Sequence, residues 1–85
     1  MAKVEMYTTG ICPYCHAAKQ LFQSKGVRYT EIRVDKDPAK RAEMMKRSQR
    51  RTVPQIWVGD THVGGFDEAA ALERQGRLDS LLKEQ

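Results

Sequence analysis

The sequence predicts an α/β fold in which a four-stranded mixed sheet is flanked by helices. Short runs of β-forming residues with alternating polarity are separated by longer runs that carry an apolar stripe at helical spacing. These runs follow the order β-α-β-α-β-β-α-α, and 85 residues suffice for one hydrophobic core. We therefore expect a single domain over residues 1–85, with no internal repeat and no linker.

The four predicted strands are bounded by turn-forming residues. They span residues 4–8, 29–34, 55–58 and 61–63. A helix joins the first two strands, and the right-handed crossover rule therefore makes them parallel. Gly59 and Asp60 form a two-residue turn, which makes the last two strands a hairpin.

The predicted helices have recognisable start signals. The first runs from Pro13 to about Lys25, because proline suits a first helical turn and the glycine that follows suits the position after the last. The second, about residues 39–48, follows Asp37, an N-cap residue with proline behind it. The apolar residues that this second helix offers to the core are Ala42, Met44 and Met45.

Two helices are predicted after the hairpin. Asp67 and Glu68 suit the positive N-terminus of a helix that continues toward Gly76. A short last helix presents an apolar face formed by Leu78, Leu81 and Leu82.

The charge of the chain is moderately basic. The formal net charge is +4, from fifteen Lys and Arg against eleven Asp and Glu. Much of the excess comes from Lys40, Arg41, Lys46, Arg47, Arg50 and Arg51. No aromatic platform or known binding motif accompanies these residues, which favours a solvated helix face over nucleic-acid binding. No run approaches the roughly 18 apolar residues of a membrane span, and the first residues lack a signal-peptide layout. We expect a cytoplasmic protein with no nucleic-acid or membrane partner.

The only two cysteines, Cys12 and Cys15, stand two residues apart at the predicted start of the first helix. In a reducing cytosol such a pair is redox-active or metal-binding. Cys12 is the expected nucleophile, for which a thiolate must be stabilised. The helix dipole supplies ~0.3–1 kcal/mol, less than the ~1.4 kcal/mol of one pKa unit, so hydrogen bonds from the N–H groups of Tyr14 and Cys15 are expected to contribute more. Cys15, further into the helix, is the expected resolving thiol.

Three other interpretations of the cysteines compete with this one. A zinc site would draw on Cys12, Cys15, His16 and His62, that is, on two sulfurs in adjacent turns and two histidines on separate elements. The C-x-x-C-H order also matches c-type haem attachment, which usually implies export. Two inert buried cysteines fit poorly with an exposed helix start. We expect no bound metal, with His16 exposed on the helix and His62 a polar strand residue.

Two further motifs point to a family. Thr-Val-Pro at residues 52–54 precedes the third strand, and Gly-Gly-x-Asp at residues 64–67 precedes the third helix. Together with Cys-Pro-Tyr-Cys at residues 12–15, they make nearly the whole chain resemble the small bacterial dithiol glutaredoxins. The resemblance implies the thioredoxin fold and the reduction of protein disulfides and glutathione mixed disulfides. Glutathione would be the electron-donating cosubstrate, with no bound cofactor.

The resemblance also implies a set of glutathione contacts beside the first cysteine. The peptide bond before Pro54 would be cis, turning the backbone of Val53 outward to pair with glutathione as a short added strand. The turn at residues 65–67 would hold the γ-glutamyl end, and its aspartate suits a helix N-cap as well. Arg41, with Arg51 behind it, would take the glycyl carboxylate. The implied contacts are Tyr14, Arg41, Thr52, Val53, Pro54, Gly65, Phe66 and Asp67.

One position departs from the family pattern. Many relatives carry lysine three residues before the first cysteine, where this chain has Thr9. We expect Cys12 to be less acidic, or glutathione to be held less tightly, than in lysine-bearing relatives.

Two other functions share the same motifs. A glutaredoxin-like electron carrier reduced directly by thioredoxin reductase would keep Cys12, Cys15 and Pro54 without needing a glutathione groove. An iron-sulfur binding module would share a cluster between two protomers through Cys12 and glutathione, which Pro13 disfavours. We expect instead a monomer whose partners are glutathione and disulfide-bonded or glutathionylated client proteins.

Overall fold

The computed structural model describes residues 3–83, and its helices and strands follow the predicted order. They are β1 (Val4–Thr8), α1 (Pro13–Ser24), β2 (Thr30–Arg33), α2 (Pro38–Ser48), β3 (Gln55–Val58), β4 (Thr61–Gly64), α3 (Phe66–Arg74) and α4 (Leu78–Lys83). The strand β2 is one residue shorter at each end than predicted. Within the described residues, no helix is long and apolar enough to cross a membrane.

The four strands form one mixed sheet in the order β2-β1-β3-β4. The strand β1 pairs parallel with β2 and antiparallel with β3, and β3 pairs antiparallel with β4. Both predicted pairings, the parallel crossover pair and the hairpin, are confirmed. Gly59 in the hairpin turn has φ +60, a left-handed conformation that glycine adopts without steric cost.

Helices cover both faces of the sheet. On one face, residues of β1, β3 and β4 form an apolar core with α1, α3 and α4, made of Val4, Met6, Ala18, Phe22, Ile56, Val58, Val63, Ala69, Leu78 and Leu82. On the other face, Tyr7 and Trp57 pack with Val34 and with Met44 of α2. The central strands are therefore buried on both sides, which is why the polar Thr8 is fully buried and donates a hydrogen bond to Glu31 at 2.6 Å.

The helix α2 directs few of its apolar residues to the sheet. Met44 is fully buried, as predicted, and Ser48, one turn later on the same side of the helix, is buried with it. Ala42 and Met45 are exposed. The prediction that these two belong to the core is wrong, because the side of α2 that faces the sheet carries Met44 and Ser48, with Glu43 and Arg47 beside them.

The helix starts follow their sequence signals, with one correction. The side chain of Asp37 accepts N–H groups of the first turn of α2 at 3.1 and 3.2 Å, which confirms it as an N-cap. For α3 the N-cap is Gly65, and Asp67 lies inside the first turn. Asp67 is therefore not the N-cap residue that was expected. The cause is Glu68, whose carboxylate accepts the N–H of Gly65 at 2.7 Å and so begins the helix earlier.

Candidate active site

Cys12 lies at the N-cap of α1, directly after the loop that leaves β1. Its backbone is extended, with φ −156 and ψ 101, and its sulfur accepts the N–H of Cys15 at 3.1 Å. Of the two N–H groups predicted to bond this sulfur, that of Cys15 does so. Among the described residues no such bond comes from Tyr14. A half-buried thiol that accepts a first-turn N–H is in a position to be stabilised as a thiolate.

Cys15 has a different environment one turn further along α1. Its side chain is 1% exposed. Burial and, after it, the hydrogen bond and charge of Cys12 raise the pKa of Cys15 to about 12. A backbone hydrogen bond with Thr9 lowers this pKa in part. The two thiols are therefore chemically unequal: one is reachable from solvent, and the other is held protonated inside the helix.

The loop before β3 reaches the first cysteine. The peptide bond between Val53 and Pro54 is cis, as the resemblance implied. The thiol of Cys12 donates to the carbonyl oxygen of Val53 across 3.8 Å. This contact joins residues 41 positions apart in the chain and brings the Thr-Val-Pro motif to the C-x-x-C motif.

A groove of about 280 Å³ runs beside this contact. It is lined by Tyr14, Arg50, Thr52, Val53, Pro54, Gly65, Phe66, Asp67 and Glu68. Every implied glutathione contact except Arg41 is in this lining. Arg41 is an exposed residue of α2, and the guanidinium that lines the groove belongs to Arg50. The groove lining includes neither cysteine and reaches Cys12 through Val53, whereas three larger cavities, of about 630, 590 and 490 Å³, are lined by neither cysteine nor Val53.

Arg50 and Glu68, which sequence analysis did not assign to the site, join the two sides of the groove. Arg50 Nη1 lies 2.8 Å from Glu68 Oε2, while the other oxygen of Glu68 accepts the N–H of Gly65. The Gly65 hydrogen bond and, after it, Arg50 lower the pKa of Glu68. A glutamate three residues after a helix cap is a known capping signal, so Glu68 was recognisable from the sequence. Arg50 carried no such signal within a run of basic residues.

Apolar side chains form the outer rim of the site. Ile11, next to Cys12, is 97% exposed, and Tyr14 is 62% exposed. The ring of Tyr14 faces that of Phe66, with centroids 6.4 Å apart and an interplanar angle of 30°. Exposed apolar groups beside a reactive thiol suit the docking of a partner molecule.

The environments of the two histidines differ from those of the thiols. His16 is exposed on α1, as expected. His62 is a half-buried residue of β4, with Nε2 at 2.8 Å from Gln55 Oε1. Over the described chain, residues 3–83, no three His, Cys, Asp or Glu side chains are grouped so as to hold a metal ion.

Comparison with known proteins gives one consistent family. The model of the Glutaredoxin family matches residues 4–63. The chain is 56% identical over 82 residues to a glutaredoxin of Pseudomonas aeruginosa, covering 96% of this chain and 98% of the relative. It is 55% identical over 83 residues to glutaredoxin 3 of Escherichia coli K12, covering 98% and 100% of the two chains.

Solved structures agree with the sequence matches. The solution structure of glutaredoxin from Brucella melitensis has a TM-score of 0.87 at 52% identity, covering 98% of this chain and 90% of the other. A crystal structure of a buckwheat glutaredoxin-glutathione complex has a TM-score of 0.89 at 31% identity, covering 98% and 78%.

Proposed function

This chain belongs to the glutaredoxin family and has the thioredoxin fold, and on that premise we propose that it uses glutathione to reduce protein disulfides and glutathione mixed disulfides. Membership of the family implies thiol-disulfide oxidoreductase activity. The observation that carries the proposal is the sulfur of Cys12, which accepts a first-turn N–H and lies 3.8 Å from the Val53 carbonyl oxygen, beside the groove.

In the monothiol route, Cys12 alone exchanges disulfides. Its thiolate attacks the glutathione sulfur of a glutathionylated client, and the client leaves as a thiolate that takes a proton. A second glutathione thiolate then attacks the glutathione sulfur bound to Cys12. The products are glutathione disulfide and the regenerated Cys12 thiolate, so one free glutathione thiol is oxidised for each client thiol released, the other half of the glutathione disulfide coming from the client.

In the dithiol route, Cys15 completes the reaction with a client disulfide. Cys12 attacks the client and forms a mixed disulfide, and Cys15 then attacks the Cys12 sulfur and releases the client with both thiols reduced. Two glutathiones reopen the Cys12–Cys15 disulfide. Burial and, after it, the Cys12 sulfur raise the pKa of Cys15, and only the contribution of the Cys12 sulfur is lost once Cys12 is in a mixed disulfide, which supports this order.

The groove provides groups that suit the parts of glutathione. The backbone of Val53 can pair with the peptide portion, as an added strand does. Phe66 and Asp67 are the first residues of α3, whose first-turn N–H groups have no partner within the helix and suit a carboxylate. Arg50 lines the groove, whereas a role for Arg41 stays a prediction. The buckwheat relative was crystallised with glutathione, which supports the same ligand here.

The proposal extends to the setting of the reaction. It includes a single domain over residues 1–85, a cytoplasmic location, a monomer, glutathionylated or disulfide-bonded client proteins, and no cofactor other than the glutathione cosubstrate. The chain is 55% identical to E. coli glutaredoxin 3 in an alignment that covers all of that relative, and this supports the single domain.

The test is turnover of a glutathionylated peptide with glutathione, glutathione reductase and NADPH. We expect activity in the wild type and in Cys15→Ser, and none in Cys12→Ser. With a protein disulfide as substrate, both variants should be inactive. A wild type that fails with glutathione but is reduced by thioredoxin reductase would refute the proposal and identify an electron carrier.

A further inference from the structure

We propose that Gln55 is a positioning residue that sets the loop at residues 52–54 against Cys12, and that His62 holds Gln55 in the orientation this requires. The inference rests on the proposed function for its kinetic effect. Thr52, Gln55 and His62 are called the Gln55 network below. The hydrogen bonds of the Cys12 sulfur are to Val53 and Cys15 and not to the Gln55 network, which therefore acts through the position of Val53.

Gln55 is anchored where the loop ends. It is the first residue of β3, a strand bonded on both sides, and its side chain is fully buried. Its Nε2 donates to the carbonyl oxygen of Thr52 at 3.0 Å and to the hydroxyl oxygen of Thr52 at 3.1 Å. Both N–H donors of one buried amide are thus directed to a single exposed residue of the loop.

The chemistry of the partners fixes how the Gln55 amide is oriented. The carbonyl oxygen of Thr52 can only accept, so the nitrogen of the amide must face it. The oxygen of the amide then faces His62 Nε2 at 2.8 Å, and His62 must donate the proton of that bond. The donors run in one direction, from His62 to Gln55 to Thr52, an arrangement in which each bond strengthens the next.

The imidazole of His62 is itself held in place. It stacks on Trp57, with ring centroids 4.6 Å apart and an interplanar angle of 28°. The guanidinium of Arg47, from α2, lies 4.2 Å from the centroid of the same indole ring. The loop is therefore tied to the sheet and, through Trp57, to the helix that precedes it.

The Gln55 network has a specific consequence for catalysis. Thr52 is bonded to Gln55, and the next residue presents its carbonyl oxygen to Cys12. If the bonds to Thr52 are lost, Val53 is no longer held where it can pair with a bound peptide. Cys12 then loses its 3.8 Å contact with the Val53 carbonyl oxygen but keeps the hydrogen bond that its sulfur accepts from the N–H of Cys15 in its own helix.

The test compares Gln55→Met with the wild type. Methionine keeps the length of the side chain but can donate to neither oxygen of Thr52. We expect the KM for a glutathionylated peptide to rise about three- to ten-fold, with kcat and the rate of Cys12 alkylation by iodoacetamide within two-fold of wild type. Amide hydrogen exchange at Thr52 and Val53, measured without glutathione, should become faster.

Thr8→Val is the matched control. Thr8 is also a fully buried polar strand residue. The valine variant loses the hydrogen bond to Glu31 and leaves the hydrogen bonds of the Gln55 network in place. It should leave KM and the exchange of residues 52–53 unchanged. If Gln55→Met does not fold, His62→Phe replaces it, since phenylalanine can keep the stacking on Trp57 while losing the donor.

Two outcomes would overturn the inference. Unchanged exchange at residues 52–53 would show that Gln55 does not hold the loop. A fall in kcat or in thiol reactivity with KM unchanged would show a general structural role. If the wild type itself does not turn over the glutathionylated peptide, the proposed function fails, and the exchange measurement still decides whether the Gln55 network positions the loop.

Discussion

At the scale of single residues, the two cysteines show how position alone separates identical side chains. Cys12 at the helix cap is half-buried and accepts an N–H, whereas Cys15 lies inside the first turn and is buried. Burial disfavours a thiolate because the charge loses its hydration, and this is the largest cause of the raised pKa of Cys15. This difference supports the proposed division into an attacking and a resolving thiol.

We predict that iodoacetamide modifies Cys12 and leaves Cys15 unmodified in the reduced native protein near neutral pH. A thiol with a pKa of about 12 has almost no thiolate at that pH, and its sulfur is also shielded. Mass spectrometry of proteolytic fragments measures both sites, with the guanidinium-denatured protein as the control in which both react. Comparable rates at the two sites in the native protein would contradict this assignment.

At the scale of elements, the junction between β4 and α3 brings one wall of the groove into position. Gly64 has φ +109, and a Cβ placed there would lie 2.8 Å from the carboxylate of Glu68. That carboxylate is the one that accepts the N–H of Gly65 and pairs with Arg50. A glycine at this point is thus needed for the backbone conformation and for the glutamate that begins α3.

We predict that Gly64→Ala destabilises the protein by about 2–3 kcal/mol, since it combines a disfavoured backbone conformation with displacement of Glu68. Gly26→Ala is the matched control, because Gly26 has φ +68 but open space around its Cβ position. Gly26→Ala should lower the free energy of unfolding by only about 1 kcal/mol. Urea denaturation measures both, and equal losses would mean that Glu68 moves away without cost.

At the scale of the whole molecule, the two faces of the sheet use different interactions. The face covered by α1, α3 and α4 is an apolar core. The face covered by α2 adds polar contacts around aromatic rings: the hydroxyl of Tyr7 donates to Glu43 and accepts from Arg47, and Arg47 lies over Trp57, on which His62 stacks. The loop at residues 52–54, which lines the groove, lies on this second face. The stability of the second face is therefore coupled to the site.

We predict that the stability of the α2 face falls as pH decreases through the range in which histidine titrates. Burial, followed by the positive charge of Arg50, lowers the pKa of His62, while Glu68 acts in the opposite sense and Arg47 adds to the lowering. Below the ordinary value of 6.5 the unfolded chain therefore binds more protons than the folded one, and stability is lost as pH falls from there through the folded pKa. The free energy of unfolding should change by less than about 1.4 kcal/mol per pH unit over this range.

Urea denaturation of the wild type and of His62→Gln at several pH values between neutral and mildly acidic measures this effect. The variant should lose part of the slope, because glutamine does not titrate but can still donate to Gln55. The paired carboxylates of Glu31 and Glu68 have lowered pKa values, so their contribution to stability is lost only as pH falls below their ordinary value of 4.5. Identical slopes in the two proteins would exclude His62 as the source.

Much of the fold was predictable because its signals are local. The strand β1, the hairpin and the starts of α1 and α2 depend on residues next to one another, such as proline at a first turn and Asp37 at a cap. One error arose where packing decides, since Ala42 and Met45 have the right polarity for a core but face away from the sheet. The error at Asp67 is local: Glu68 accepts the N–H of Gly65, three residues before it, and this makes Gly65 the N-cap.

The family, the order of the elements and the spacing of the two thiols could be read from motifs of neighbouring residues. Which residues meet across the groove depended on the folded chain. It brought Val53 to Cys12 across 41 positions, put Arg50 in the groove lining in place of Arg41, and joined Gln55 to His62 behind the loop. The physical reason is that these contacts depend on how strands and helices pack in three dimensions, which local propensity does not encode.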